Sequence, residues 1–140
     1  MISRMLIGAC AAIILFLGSV HLAYTFFTPK FNPTDGQVET AMKRVAPRIS
    51  SDTTMWKAWV GFHISHSLGL MLFGLIYGYL SVCRWDVLLG SYFLAGLGLL
   101  ALVGYILLAR VFWFSAPLIG VSVATSFYIA GLIFAFAQGQ

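Results

Sequence analysis

Acidic side chains are almost missing from this sequence: 140 residues hold 4 Asp and Glu, against 8 Lys and Arg. Charged residues make up 9% of the chain, where a soluble domain carries roughly a quarter. So few charges cannot wet the surface of a soluble protein, and most of that surface must lie in lipid. Cysteine is scarce too. Cys10 and Cys83 form no CxxC and read as small hydrophobes rather than a redox pair. Also missing are a P-loop, a dinucleotide fingerprint, a metal-binding loop, HExxH and G-x-S-x-G, so nucleotide chemistry and the familiar hydrolytic sites are not indicated.

What the chain has instead is apolar sequence, 61% of its residues, with a mean hydropathy of +0.95. Asp, Glu, Lys and Arg are absent between Arg4 and Lys30, between Lys57 and Arg84, between Asp86 and Arg110, and after Arg110. Each interval can hold the roughly 20 apolar residues that cross a bilayer as a helix. Four spans are expected at approximately 5–27, 56–82, 87–109 and 116–137. Strands are excluded because four of them cannot close a barrel, whereas a helix satisfies its own backbone groups in lipid. The apolar run after Arg4 is too long for a signal-peptide core, and Gly18–Ser19–Val20–His21 is a poor cleavage site, so the first span is expected to be retained.

The fold expected is an all-α, integral membrane, four-helix up-down-up-down bundle, a single transmembrane domain over 1–140. Short connections at Cys83–Asp86 and Arg110–Pro117 make consecutive helices antiparallel neighbours. Segment 28–55 is the one substantial stretch outside the membrane. Pro29 and Pro33 stop the first helix there. Thr34 or Asp35 can then cap a short amphipathic interfacial helix that puts Val38, Met42 and Val45 on one face. Ser51, Asp52 or Thr53 is expected to cap the second span, with Trp56 and Trp59 as headgroup anchors. Gly74 and Gly78, with Gly90, Gly96, Gly98 and Gly104 in the third span, suit closely packed backbones.

Lys30, Lys43, Arg44, Arg48, Lys57 and Arg110 flank one side of the membrane and Arg4 and Arg84 the other, which puts 28–55 on the cytoplasmic side. The net charge of +4 sits beside the spans. That placement suits anionic headgroups, and no nucleic-acid partner is expected. Membrane lipids are the expected partners, together with a homo-oligomer or a larger membrane complex.

The residues able to carry chemistry are few. All three histidines fall inside spans: His21 about two turns from the 28–55 end of the first, and His63 and His66 two to three turns from the same end of the second. His63 and His66 share a face that continues through Ser67, Leu70, Gly74, Tyr77, Gly78 and Ser81, and Gly18, His21 and Thr25 make a matching stripe. Tyr105, Arg110, Ser115, Ser122, Thr125, Ser126 and Tyr128 can add polar groups from the other spans. One reading is a polar pocket covered by the amphipathic helix. The plainer one is interhelical glue, in which histidines and hydroxyls bond to carbonyls or to tyrosine.

His21, His63 and His66 have the chemistry to ligate copper, zinc or the iron of haem b, and with Ser67 and Thr125 they are the candidates for cofactor binding. A lipid-modifying enzyme would use a histidine as base or acid, with Tyr105 or Arg110 stabilising negative charge. No intramembrane carboxylate is available as second-shell partner or as the ion site of a cation-driven transporter. The leading expectation is an accessory or small-ligand or lipid-binding bundle, with the histidine redox carrier or enzyme as alternative.

From His21 through Tyr24–Thr25–Phe26–Phe27, and from Met55–Trp56–Lys57–Ala58–Trp59 to His66–Ser67–Leu68–Gly69, the chain resembles a group of small bacterial four-span membrane proteins. It is similar to DoxX-like proteins in size and span number alone. The resemblance implies a bacterial inner membrane location and brings no activity.

Overall fold

A computed structural model describes residues 1–137; residues 138–140, the last three of the domain expected above, lie outside the described residues. Every described element is helical: α1 (Ile2–Phe27), one 3-10 turn (Pro29–Phe31), α2 (Gly36–Arg44), α3 (Met55–Cys83), α4 (Trp85–Leu89), α5 (Tyr92–Phe112) and α6 (Ser115–Ala137). Helices α1, α3, α5 and α6 are long and apolar enough to cross a membrane. The protein is an all-α membrane bundle, as its charge-free intervals require.

Packing groups the residues into two compact units, Met1–Leu17 with Leu70–Gln140, and Gly18–Gly69. In the first, all four long helices meet around Ile7, Cys10 and Ile14 of α1, Phe73 and Tyr77 of α3, Leu102 of α5, and Val121 and Tyr128 of α6. Small residues set the spacing. A Cβ placed on Gly74 would lie 2.6 Å from Leu15 Cβ and 2.7 Å from the carbonyl oxygen of Ala11. Gly78 faces Ala11 and Gly8 faces Ser81, so the contacts step in opposite directions along α1 and α3, the mark of an antiparallel pair. Gly131 of α6 fits in the same way against Ile7 and the backbone of Ser3.

Two buried tyrosines tie α3 and α6 to α5 within this unit. Tyr77 Oη donates to the carbonyl of Leu94 at 2.8 Å, and Tyr128 Oη donates to the next carbonyl, that of Ala95, at 3.0 Å. Both rings close over Gly98, where a side chain would collide with them. Of the glycines expected to mediate packing, Gly96 and Gly104 have nothing within 4 Å of a built Cβ, so that expectation holds only for part of the set.

The third span departs from the expected 87–109. A five-residue helix, α4, covers the end of the expected Cys83–Asp86 turn and the first residues of the expected span, and buries Trp85 and Leu88. The chain breaks at Gly90, and Ser91 restarts it as the cap of α5 by accepting from Leu94 N at 3.2 Å. In the second unit, Asp35 caps α2 by accepting from Gln37 N at 2.8 Å. The cap of α3 is Thr54 rather than Ser51, Asp52 or Thr53: its Oγ1 accepts from Lys57 N at 3.3 Å and its carbonyl from Ala58 N at 3.0 Å.

Candidate functional site

The second unit brings the C-terminal end of α1 against the N-terminal end of α3, and all three histidines meet there. His21 Nε2 and His63 Nδ1 are 3.0 Å apart, a hydrogen bond between imidazoles 42 positions apart in sequence. The His66 ring stands edge-on to His21, with centroids 5.2 Å apart. Such a bond requires one nitrogen with its hydrogen and one bare lone pair, so the two rings cannot both be imidazolium while it lasts. It also couples their tautomers. If His21 Nε2 donates, neutral His63 carries its hydrogen on Nε2; if His63 Nδ1 donates, neutral His21 carries its own on Nδ1.

Phe31 covers the pair. Thr28 donates from Oγ1 to Tyr24 O at 3.0 Å and accepts from Lys30 N at 3.4 Å, turning the chain back at the end of α1. Pro29 enters the 3-10 turn at its first position, where a missing N–H costs nothing. The turn lays Phe31 parallel to His63, at 4.6 Å between centroids and 8° between planes, and 4.5 Å from His21. Trp59 completes the cover: its ring edge meets His63 at 4.5 Å, and its Nε1–H donates to the Phe31 carbonyl at 3.2 Å. Phe62 stacks on His66 at 6.3 Å. Under these rings His63 is only 3% exposed.

No known family, curated protein or solved structure matches this chain. The likeness to DoxX-like proteins is therefore one of helix number and size, and no family is assigned. The site has to be read from its own geometry.

The hydroxyl candidates bond locally. Ser67 Oγ donates to the His63 carbonyl at 2.9 Å and Thr25 Oγ1 to the His21 carbonyl at 2.9 Å, each within its own helix. Thr125, in the four-helix unit, likewise donates to Val121 O at 2.7 Å. Tyr105 and Arg110 belong to α5 of that unit, the first partly buried and the second exposed. The lower part of the α3 stripe is used for packing by Gly74 and Tyr77, described above, and Ser81 donates to Gly78 O at 2.9 Å.

Among the described residues no group of three or more His, Cys, Asp or Glu side chains is placed to hold a metal ion. The hydrogen bond accounts for this at His21 and His63: nitrogens that ligate one metal each aim a lone pair at the ion, whereas here one nitrogen aims its hydrogen and the other its lone pair along the line joining them. A haem iron with its macrocycle stands between its axial nitrogens, and 3.0 Å leaves no room for either.

Trp59, expected as a headgroup anchor and among the residues that carry the resemblance to small four-span proteins, also covers His63. Phe31 is the aromatic residue of the site that the sequence does not single out, because it reads as part of a proline-bounded stop. The expected cover, α2, meets α3 elsewhere: Lys43, paired with Glu39 at 2.6 Å, stands 4.9 Å over the Trp56 ring. The signal available was the Thr28–Pro29 turn, which returns the chain within three residues.

Proposed function

We propose that this membrane protein binds a small amphiphile with an acidic head, of the fatty-acid class, with His21, His63 and His66 as the polar anchor and Phe31 with Trp59 as the cover. The observation that carries this reading is the imidazole pair itself, two bases joined at 3.0 Å beneath a stacked phenylalanine. Neither α1 nor α3 contains a carboxylate, so three clustered bases have no acid on their own helices. An acidic head entering beside them gives up its proton to the pair or accepts a hydrogen bond from it, and the aromatic cover receives the first part of the apolar tail. Displacing Phe31 disturbs its stacking on His63 and the Trp59 indole bond to its carbonyl, both at one turn of the chain, so opening is local. The setting proposed is a bacterial inner membrane with 28–55 cytoplasmic, the chain working alone or as an accessory of a larger complex.

The test uses the full chain in nanodiscs and a diazirine-bearing fatty acid as photoprobe, with the matching diazirine hydrocarbon as control. Labelling at Phe31, Trp59 or Phe62 by the acid and not by the hydrocarbon is expected, with about a tenfold loss of labelling in H63Q. Equal labelling by both probes would refute the reading.

A further inference from the structure

The four-helix unit carries a second polar feature. A cleft of about 670 Å³ is lined by Met1, Arg4, Trp85, Asp86, Leu89 and Gly90, a size within the roughly 300–1,000 Å³ usual for small-molecule sites. It holds opposite charges that do not neutralise each other. Among the described residues the ion pair of Asp86 is with Arg84, at 3.9 Å and on exposed side chains. Such a pair contributes little. Arg4 makes no salt bridge among the described residues; its guanidinium stands 5.5 Å from the centre of the Trp85 ring. Trp85 is buried, which gives Arg4 a fixed platform.

We infer that this cleft holds the headgroup of a bilayer phospholipid bearing a primary amine, the ethanolamine class, with Arg4 on the phosphate and Asp86 on the ammonium. A planar guanidinium matches two phosphate oxygens at once. The carboxylate accepts hydrogen bonds from –NH₃⁺, which a trimethylated choline cannot supply. An anionic glycerol headgroup brings a phosphate for Arg4 and nothing for Asp86 to hold. Met1 and Leu89 give the cleft apolar walls for the glycerol end of the lipid, and an Arg–Trp pair at the end of a span is at home at headgroup level. The site is independent of the histidines and stands on different observations.

Native mass spectrometry of the full-length protein, released from micelles containing equal amounts of phosphatidylethanolamine, phosphatidylcholine and phosphatidylglycerol with identical acyl chains, tests this. The ethanolamine lipid is expected to be retained about tenfold over choline. Retention should fall stepwise when mono- and dimethylated ethanolamine lipids replace it. D86N should erase the preference for ethanolamine over choline, R4Q should weaken both alike, and R110Q, in the last turn of α5 and outside the cleft, should change neither. Soluble phosphoethanolamine at millimolar concentration should not displace the lipid. Equal retention of ethanolamine and choline lipids by the wild type, a preference that survives in D86N, or displacement by the soluble headgroup would each overturn the assignment. The methylation series needs no variant, so a misfolded mutant leaves the test standing.

Discussion

Gly98, buried in α5, is where the Tyr77 and Tyr128 rings press on the helix backbone. A Cβ there would lie 2.7 Å from Tyr77 Cε1 and closer still to the Tyr128 hydroxyl, and both tyrosines are held by hydrogen bonds to carbonyls of α5. In G98A the rings must move. Overpacking of this kind costs about 1–3 kcal/mol, and a displaced interhelical hydrogen bond adds about 0.6 kcal/mol in a membrane bundle. Replacing glycine within a helix returns up to about 1 kcal/mol. The net expectation is a destabilisation of about 1–3 kcal/mol, read as a lower midpoint of unfolding by SDS titration in mixed micelles. Y128F alone should cost about 0.6 kcal/mol for its lost bond. Because it also removes the oxygen nearest the new Cβ, the double variant should be more stable than the two single effects added, by roughly 0.5–1 kcal/mol. G96A, two residues away with nothing within 4 Å of its Cβ, is the control and should be neutral or stabilising. Equal effects of G98A and G96A, or strict additivity with Y128F, would show that the tyrosine clamp is not as described.

At the α1–α3 contact, G74A should destabilise by at least about 1 kcal/mol more than G78A, since the backbone of α1 blocks the first and the second meets Ala11 Cβ at an ordinary 3.7 Å; the same titration checks it. W59F keeps an aromatic ring beside His63 but loses the indole bond to Phe31, so amide exchange at Lys30, Phe31 and Asn32 should quicken while that of α5 and α6 stays unchanged. Cys83 is an exposed thiol. If 28–55 is cytoplasmic, as proposed, a membrane-impermeant maleimide should label it in intact cells and leave a cysteine introduced at Gln37 unlabelled; the reverse pattern inverts the topology.

The four spans were legible because charge is so costly in lipid that its absence marks them. The observed helices Ile2–Phe27, Met55–Cys83 and Ser115–Ala137 follow the charge-free intervals within a few residues. The break before α5 was hidden because Val87 to Leu100 carries no charge across it, and only Gly90–Ser91 marks the restart. The three histidines could be placed near one depth by counting turns from Thr28 and Met55. That His21 and His63 bond to each other depends on the rotation of each helix about its axis, which no spacing specifies. Phe31 was invisible for a related reason: a three-residue turn decides where its ring goes, and that turn is set by the two bonds of the Thr28 hydroxyl. Serine and threonine in the spans were ambiguous between bonding across and bonding back; Thr25, Ser67, Thr125 and Ser126 all bond back within their own helices.

The hydrogen bond between imidazoles is most directly seen by nitrogen NMR on histidine-labelled protein in nanodiscs at neutral pH. Coupling across the hydrogen bond between His21 Nε2 and His63 Nδ1 is expected in the wild type and in H66Q, and it should vanish in H21Q. Two uncoupled imidazoles, each exchanging its proton with water as an exposed histidine does, would contradict the site at its centre.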